Sequence, residues 1–89
     1  MKIKEDFVLR RVTDTWVVLP IGEATLNFNG MLTLNETGVF LWKLLEEGST
    51  LDGLANALVQ EYGVPPETAR ADTELFLQGL AEAGCIDMQ

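Results

Sequence analysis

The chain contains no histidine and only one cysteine among its 89 residues. Without histidine it lacks the commonest general base, the commonest nitrogen ligand of zinc, and any Ser-His or Cys-His nucleophile pair. Its single cysteine, Cys85, can form neither an internal disulfide nor a thiolate metal site, which agrees with a reducing compartment. The phosphate-binding patterns GxGxxG and GxxxxGK[ST] are also missing. We therefore expect a protein that is not an enzyme and needs no metal or cofactor.

Basic residues are scarce and unevenly placed. The chain has 6 Lys and Arg against 14 Asp and Glu, a net charge of −8. After residue 22 only Lys43 and Arg70 remain to oppose the acidic side chains. A surface of this sign repels a phosphate backbone, so we expect no nucleic-acid partner.

Long apolar runs are absent as well. No stretch approaches the roughly 20 apolar residues needed to span a bilayer. The first residues, MKIKEDFVLRR, are charged where a signal peptide would be apolar. We expect no membrane partner and a cytoplasmic protein.

The first third of the chain is rich in strand-forming residues. Residues 7–12 (FVLRRV) and 15–20 (TWVVLP) are β-branched or aromatic runs separated by two residues, which predicts an antiparallel hairpin. Residues 24–28 and 31–34 flank Asn29-Gly30, the strongest short hairpin signal. The pattern predicts a meander of three or four strands and leaves open whether residues 24–28 form a strand of their own.

Three helical patterns follow. The first begins after Asn35 and ends at Gly48, and the second runs from Ser49 or Thr50 to Gly63. The third starts at Pro65-Pro66 and ends before Gly84. Strands followed by helices predict an α+β fold, with a small N-terminal antiparallel sheet packed on three helices.

The segment Met31-Leu32-Thr33-Leu34 differs from the other strands because it carries neither charge nor proline. Natural sheets usually protect an exposed edge with such residues, since free donors and acceptors recruit other strands. An extended peptide could add to this segment, with alternate side chains entering pockets beside a helix. An ordinary core strand covered on both sides would have the same composition.

Several features together resemble the PqqD family, which is named for pyrroloquinoline quinone synthesis protein D and is the prototype of the RiPP recognition element. In chain order they are residues 34–38 (LNETG), residues 40–42 (FLW) with Leu45, the Gly48-Ser49-Thr50 break, the Leu54/Leu58/Tyr62 stripe, and residues 69–72 (ARAD) leading to Phe76, Leu77, Leu80 and Gly84. The resemblance covers the chain from about residue 7 to residue 86.

The resemblance implies a winged-helix-like arrangement of sheet and helices, in one peptide-recognition domain over residues 1–89. It also implies binding of the leader segment of a ribosomally made precursor peptide, which the protein delivers to a modifying enzyme, often a radical S-adenosylmethionine (SAM) enzyme. The docking strand would be Met31, Leu32, Thr33 and Leu34. The helix wall beside it would be drawn from Asp72, Leu75, Phe76 and Gly79.

Some positions depart from the family pattern. The stretch from residue 20 to residue 28 is longer than in the quinone-cofactor protein, and Thr73 and Cys85 replace aliphatic residues. These departures favour a chaperone for a different modified peptide. Two alternatives belong to other classes: a structural domain that forms a homodimer through the same strand, and a winged-helix regulator that binds DNA.

Overall fold

The computed structural model describes residues 1–26 and 32–86. Its elements are β1 Phe7–Val12, β2 Thr15–Pro20, a short 3-10 helix Gly22–Leu26, β3 Leu32–Leu34, α1 Glu36–Glu47, α2 Leu51–Tyr62 and α3 Pro66–Glu82. Within these residues the order is a three-stranded sheet followed by three α-helices. The α+β prediction is confirmed.

The sheet is antiparallel and has the order β1-β2-β3. β1 and β2 form the expected hairpin, which is paired from Phe7↔Pro20 to Val12↔Thr15. Thr13 adopts a φ of +57° in the connection, a positive value of the kind that two-residue hairpin turns require. β3 then pairs with the other side of β2, which places β1 and β3 at opposite edges.

Residues 22–26, after β2, are helical, whereas the sequence leaves open a strand over residues 24–28. Residues 24–26 belong to the 3-10 helix, so a strand spanning residues 24–28 is wrong for this part. The Thr25 hydroxyl donates to the Gly22 carbonyl at 2.7 Å, a local bond that competes with strand pairing. Asn27 and Phe28, and the Asn29-Gly30 turn, lie outside the described residues.

Each helix begins at the predicted place. Asn35 caps α1, Thr50 caps α2 by accepting a bond from the Gly53 amide at 2.9 Å, and Pro65 precedes α3. Gly63 ends α2 in the left-handed region, with a φ of +68° that favours glycine. These local signals mark where each helix begins and where α2 ends.

One apolar core joins the sheet to the helices. Trp42 and Leu45 of α1, Val18 of β2 and Leu54 of α2 are each 0% exposed. Thr73, the buried polar residue of α3, satisfies its hydroxyl by donating to the Ala69 carbonyl at 2.7 Å. α1 thus supplies the largest buried side chain and packs between the sheet and the other helices.

The N-terminal segment is tied to two separate parts of the core. The Ile3 amide donates to the Leu45 carbonyl at 3.1 Å, and the Lys4 amide donates to the Cys85 carbonyl at 2.9 Å. Within the described ranges, no helix combines the length and the apolarity that a membrane crossing demands.

Candidate functional site

The candidate site begins at the outer edge of β3. This strand is last in the sheet order, so β2 occupies one of its sides and none of the other described strands occupies the second. Leu32 and Leu34 are half-buried and pack against the core, while Thr33 on the opposite face is exposed. Alternate side chains therefore separate into an inner and an outer set, as pleating requires. The edge offers main-chain groups without a charged side chain.

The strand passes into α1 with no linker. The side chain of Asn35 accepts a hydrogen bond from the Gly38 amide at 2.8 Å, which satisfies one of the free donors of the first helical turn. A Cβ atom at Gly38 would lie 3.2 Å from Leu34 Cβ, so glycine is what allows this close approach of helix to strand. The end of β3 is thereby held against the first turn of α1.

α3 forms the opposite wall. Its residues Asp72 and Phe76 enclose a cleft of about 360 Å³ together with residues of α1 and its cap, namely Asn35, Thr37, Gly38 and Leu41. Leu41 is 2% exposed and Phe76 is half-buried, so Phe76 supplies most of the apolar surface that is accessible in the cleft. Asp72 is exposed at its rim.

Two other predicted residues extend this side of α3. Leu75 and Gly79 lie three and seven residues from Asp72, spacings that place all three on one face of a helix. Leu75 is 68% exposed, and a Cβ at Gly79 would meet no atom within 4 Å. Neither residue lines the 360 Å³ cleft itself. They form an open apolar continuation of the wall.

The predicted site residues are therefore placed as follows. Leu32, Thr33 and Leu34 form the edge strand, Asp72 and Phe76 line the cleft at its end, and Leu75 and Gly79 continue along α3. Met31 lies outside the described residues.

Sequence reasoning did not assign Thr37, Gly38 and Leu41 to the site. A signal for them was present, because residues three and four apart share one face of a helix and this helix begins directly after the docking strand. The inner face of its first two turns must therefore lie beside the end of β3.

The charged residues of α3 differ in whether they are paired. Arg70 forms ion pairs with Asp52 of α2 and with Glu74, whose carboxylate lies 3.4 Å from the Arg70 Nε. Since Arg70 is the one basic residue of α3, the helix has no unpaired cation for a DNA groove. By contrast, the side-chain carboxylate of Asp72 has no hydrogen-bond or ion-pair partner among the described residues.

The described residues offer neither a metal-binding cluster nor an activated thiol. No group of carboxylate and thiol side chains there is arranged to hold a metal ion. Cys85 is fully buried, and desolvation raises the pKa of its thiol from 9.0 to about 11 despite the opposing effect of Lys4. A thiol held neutral in this way is a poor nucleophile.

Fold and site together define a small sheet-on-helices domain. In its described part, the first turns of α1 and the third helix enclose an open cleft at the end of the edge strand β3. The chain belongs to the PqqD family, because residues 15–86 match the family of coenzyme PQQ synthesis protein D. No curated protein matches it significantly.

Two solved structures are similar to the chain over nearly its whole length. TbiB1, in complex with the TbiA(beta) leader peptide, is 28% identical with a TM-score of 0.78, and the match covers 100% of this chain and 98% of that one. Lasso peptide synthetase B1, complexed with the leader peptide, is 21% identical with a TM-score of 0.73, and the match covers 94% of this chain and 93% of that one. The second likeness supports the fold alone.

Proposed function

We propose that this protein is a non-catalytic adaptor that binds the leader segment of a ribosomally synthesised precursor peptide. The leader adds as a fourth strand at residues 31–34 and runs beside α3, and the adaptor presents it to a modifying enzyme. The observation that carries the proposal is the free, uncharged edge of β3 next to the cleft at Asp72 and Phe76. Membership of the PqqD family and the similarity to TbiB1, which was solved with a leader peptide, support it.

Main-chain hydrogen bonds alone are too weak to bind the leader with micromolar affinity. Each net hydrogen bond contributes about 1 kcal/mol, and a strand this short offers only a few. A micromolar complex needs about 8 kcal/mol. Side chains of the leader must therefore supply most of the affinity by packing on α3, where Leu75, Phe76 and Gly79 offer an open apolar surface.

The enzyme that receives the leader is the second partner. A radical SAM enzyme or another peptide-modifying enzyme would carry out the modification of the core peptide. The net charge of −8 favours a basic face on that enzyme, which would speed encounter more than it would tighten the complex.

An amide chemical-shift titration tests the proposal. The probe is a synthetic leader segment of the precursor peptide encoded beside this gene, and the control is a scrambled peptide of the same composition. Shifts are expected to cluster at residues 31–34 and 69–79 with the leader only. Shifts that are absent, or that centre on β1 at the other edge of the sheet, would overturn the proposed site.

The same free edge permits a second reading, in which β3 pairs with β3 of another copy. Light scattering across a dilution series separates the two readings. The adaptor reading predicts a monomer mass at every concentration in the absence of leader. A dimer that dissociates when leader is added would mean that the edge serves both contacts.

A further inference from the structure

The cleft at the end of β3 combines the half-buried ring of Phe76 with a carboxylate that has no partner among the described residues. Leu41 and Phe76 form the floor, and Asp72 lies at the rim without a partner among the described residues. The neighbouring acid Glu74 is engaged by Arg70. Asp72 thus presents a full negative charge to whatever enters the cleft.

We propose that this cleft selects a basic side chain, lysine or arginine, of the bound leader. The aliphatic stem would pack on Phe76 while the charged head reaches Asp72 at the rim. Long basic side chains are suited to such sites because they bury their stems and keep their heads in water. The inference rests on the proposed function and adds to it the chemistry of one recognised residue.

Competing side chains fit the cleft less well. An acidic side chain would meet Asp72 at close range, and a purely apolar one would cover the carboxylate without giving it a partner. The N-terminus of α1 has a partial positive charge that opposes a cation. That charge is about half an elementary charge, and it is reduced by the Asn35 cap and by Glu36 in the first turn, so the full charge of Asp72 prevails.

The cleft also sets where the basic residue lies in the leader. Asn35 and Gly38 place the cleft at the C-terminal end of β3. Antiparallel strand pairs are the commoner kind, and antiparallel addition brings the N-terminal end of the docking segment to this position. The basic residue is therefore expected at that end of the segment and not at its centre.

A double-mutant cycle tests the inference with the leader segment encoded beside the gene. Asp72→Asn is compared with Glu74→Gln, which removes the same charge from the far side of α3. Each protein is titrated with the native leader and with leaders in which one Lys or Arg at a time is replaced by Met. Thermal unfolding of each variant confirms that it is folded.

The expected result is that Asp72→Asn weakens binding roughly tenfold at low salt, while Glu74→Gln changes it less than twofold. One leader replacement should cause a similar loss, and that loss should disappear in Asp72→Asn. The inference is overturned if Asp72→Asn binds as well as wild type, or if every leader replacement has the same effect in both proteins. If the wild-type protein binds no leader, the proposed function itself is refuted. If the leader binds at residues 31–34 with an affinity that does not depend on Asp72, only this inference is refuted.

Discussion

The side chain of Asn35 accepts a hydrogen bond from the Gly38 amide at 2.8 Å, at the point where β3 becomes α1. One residue therefore ends the strand and caps the helix. The arrangement holds the end of β3 against the first turn of α1. A preformed edge lowers the ordering cost of binding, because only the leader must become extended.

Removing this cap should reduce stability. Asn35→Ala is expected to lower the free energy of unfolding by about 1 kcal/mol, since the Gly38 amide loses its acceptor. Asn35→Asp keeps an acceptor at the same position and should stay near wild type. Urea unfolding monitored by circular dichroism measures both. Equal stability of Asn35→Ala and Asn35→Asp would show that the cap contributes nothing.

Two Gly→Ala substitutions should have opposite effects. At Gly79 a Cβ meets open space, so Gly79→Ala should stabilise the protein by up to about 1 kcal/mol through helix propensity. At Gly38 a Cβ would press on Leu34 Cβ at 3.2 Å and on Asn35 Oδ1 at 3.3 Å, so Gly38→Ala should destabilise it. Thermal unfolding compares the pair. A gain in stability for both variants would contradict the close packing of α1 against β3.

A larger residue at Gly79 should block the groove without unfolding the protein. Gly79→Leu projects a side chain into open space on the face of α3 that carries Asp72 and Leu75, and it should weaken leader binding roughly tenfold or more while unfolding remains cooperative. Gln78→Leu adds the same side chain at an exposed neighbouring position, which lines a different cleft together with Met1 and Thr50. Calorimetric titration with the leader measures both variants. Equal affinities would exclude the α3 wall from the binding site.

The buried thiol predicts how stability depends on pH. In the folded protein Cys85 keeps its proton up to a pKa of about 11, whereas the unfolded chain releases it near 9.0. Between these values the unfolded state binds fewer protons, so the free energy of unfolding should fall as pH rises, by on the order of 2 kcal/mol in total.

Cys85→Ala provides the control for this effect. Every other titratable group is present in both proteins, so its contribution cancels when the two pH curves are compared. The difference in slope between wild type and Cys85→Ala therefore isolates the thiol. Parallel pH curves for the two proteins would show that the thiol is not desolvated in the folded state.

Local signals made most of the fold predictable from the sequence. The hairpin of β1 and β2, the Asn35 cap and the glycines that follow α1 and α2 each depend on residues close together in the chain. The composition of the segment after Gly22 did not decide whether residues 24–28 form a strand. The Thr25 hydroxyl donates a hydrogen bond to the nearby Gly22 carbonyl, and strand propensities do not account for such a local interaction.

The site was predictable in part. The uncharged composition of residues 31–34 favoured an exposed edge strand, and the resemblance to the PqqD family implied that Asp72 and Phe76 belong to the helix wall beside it. That this face meets Thr37 and Leu41 across a cleft depends on how α1 and α3 pack, which involves residues more than 30 positions apart. Sequence periodicity describes each helix separately and does not fix their relative placement.

The most direct test of the central claim is amide hydrogen exchange with and without the leader. The sheet has two edges, β1 and β3, and the account assigns the leader to β3 alone. Amides in residues 32–34 are expected to exchange more slowly when leader is bound, while those in residues 7–12 keep their rates. Unchanged rates in β3 under saturating leader, or slowing confined to β1, would contradict the account.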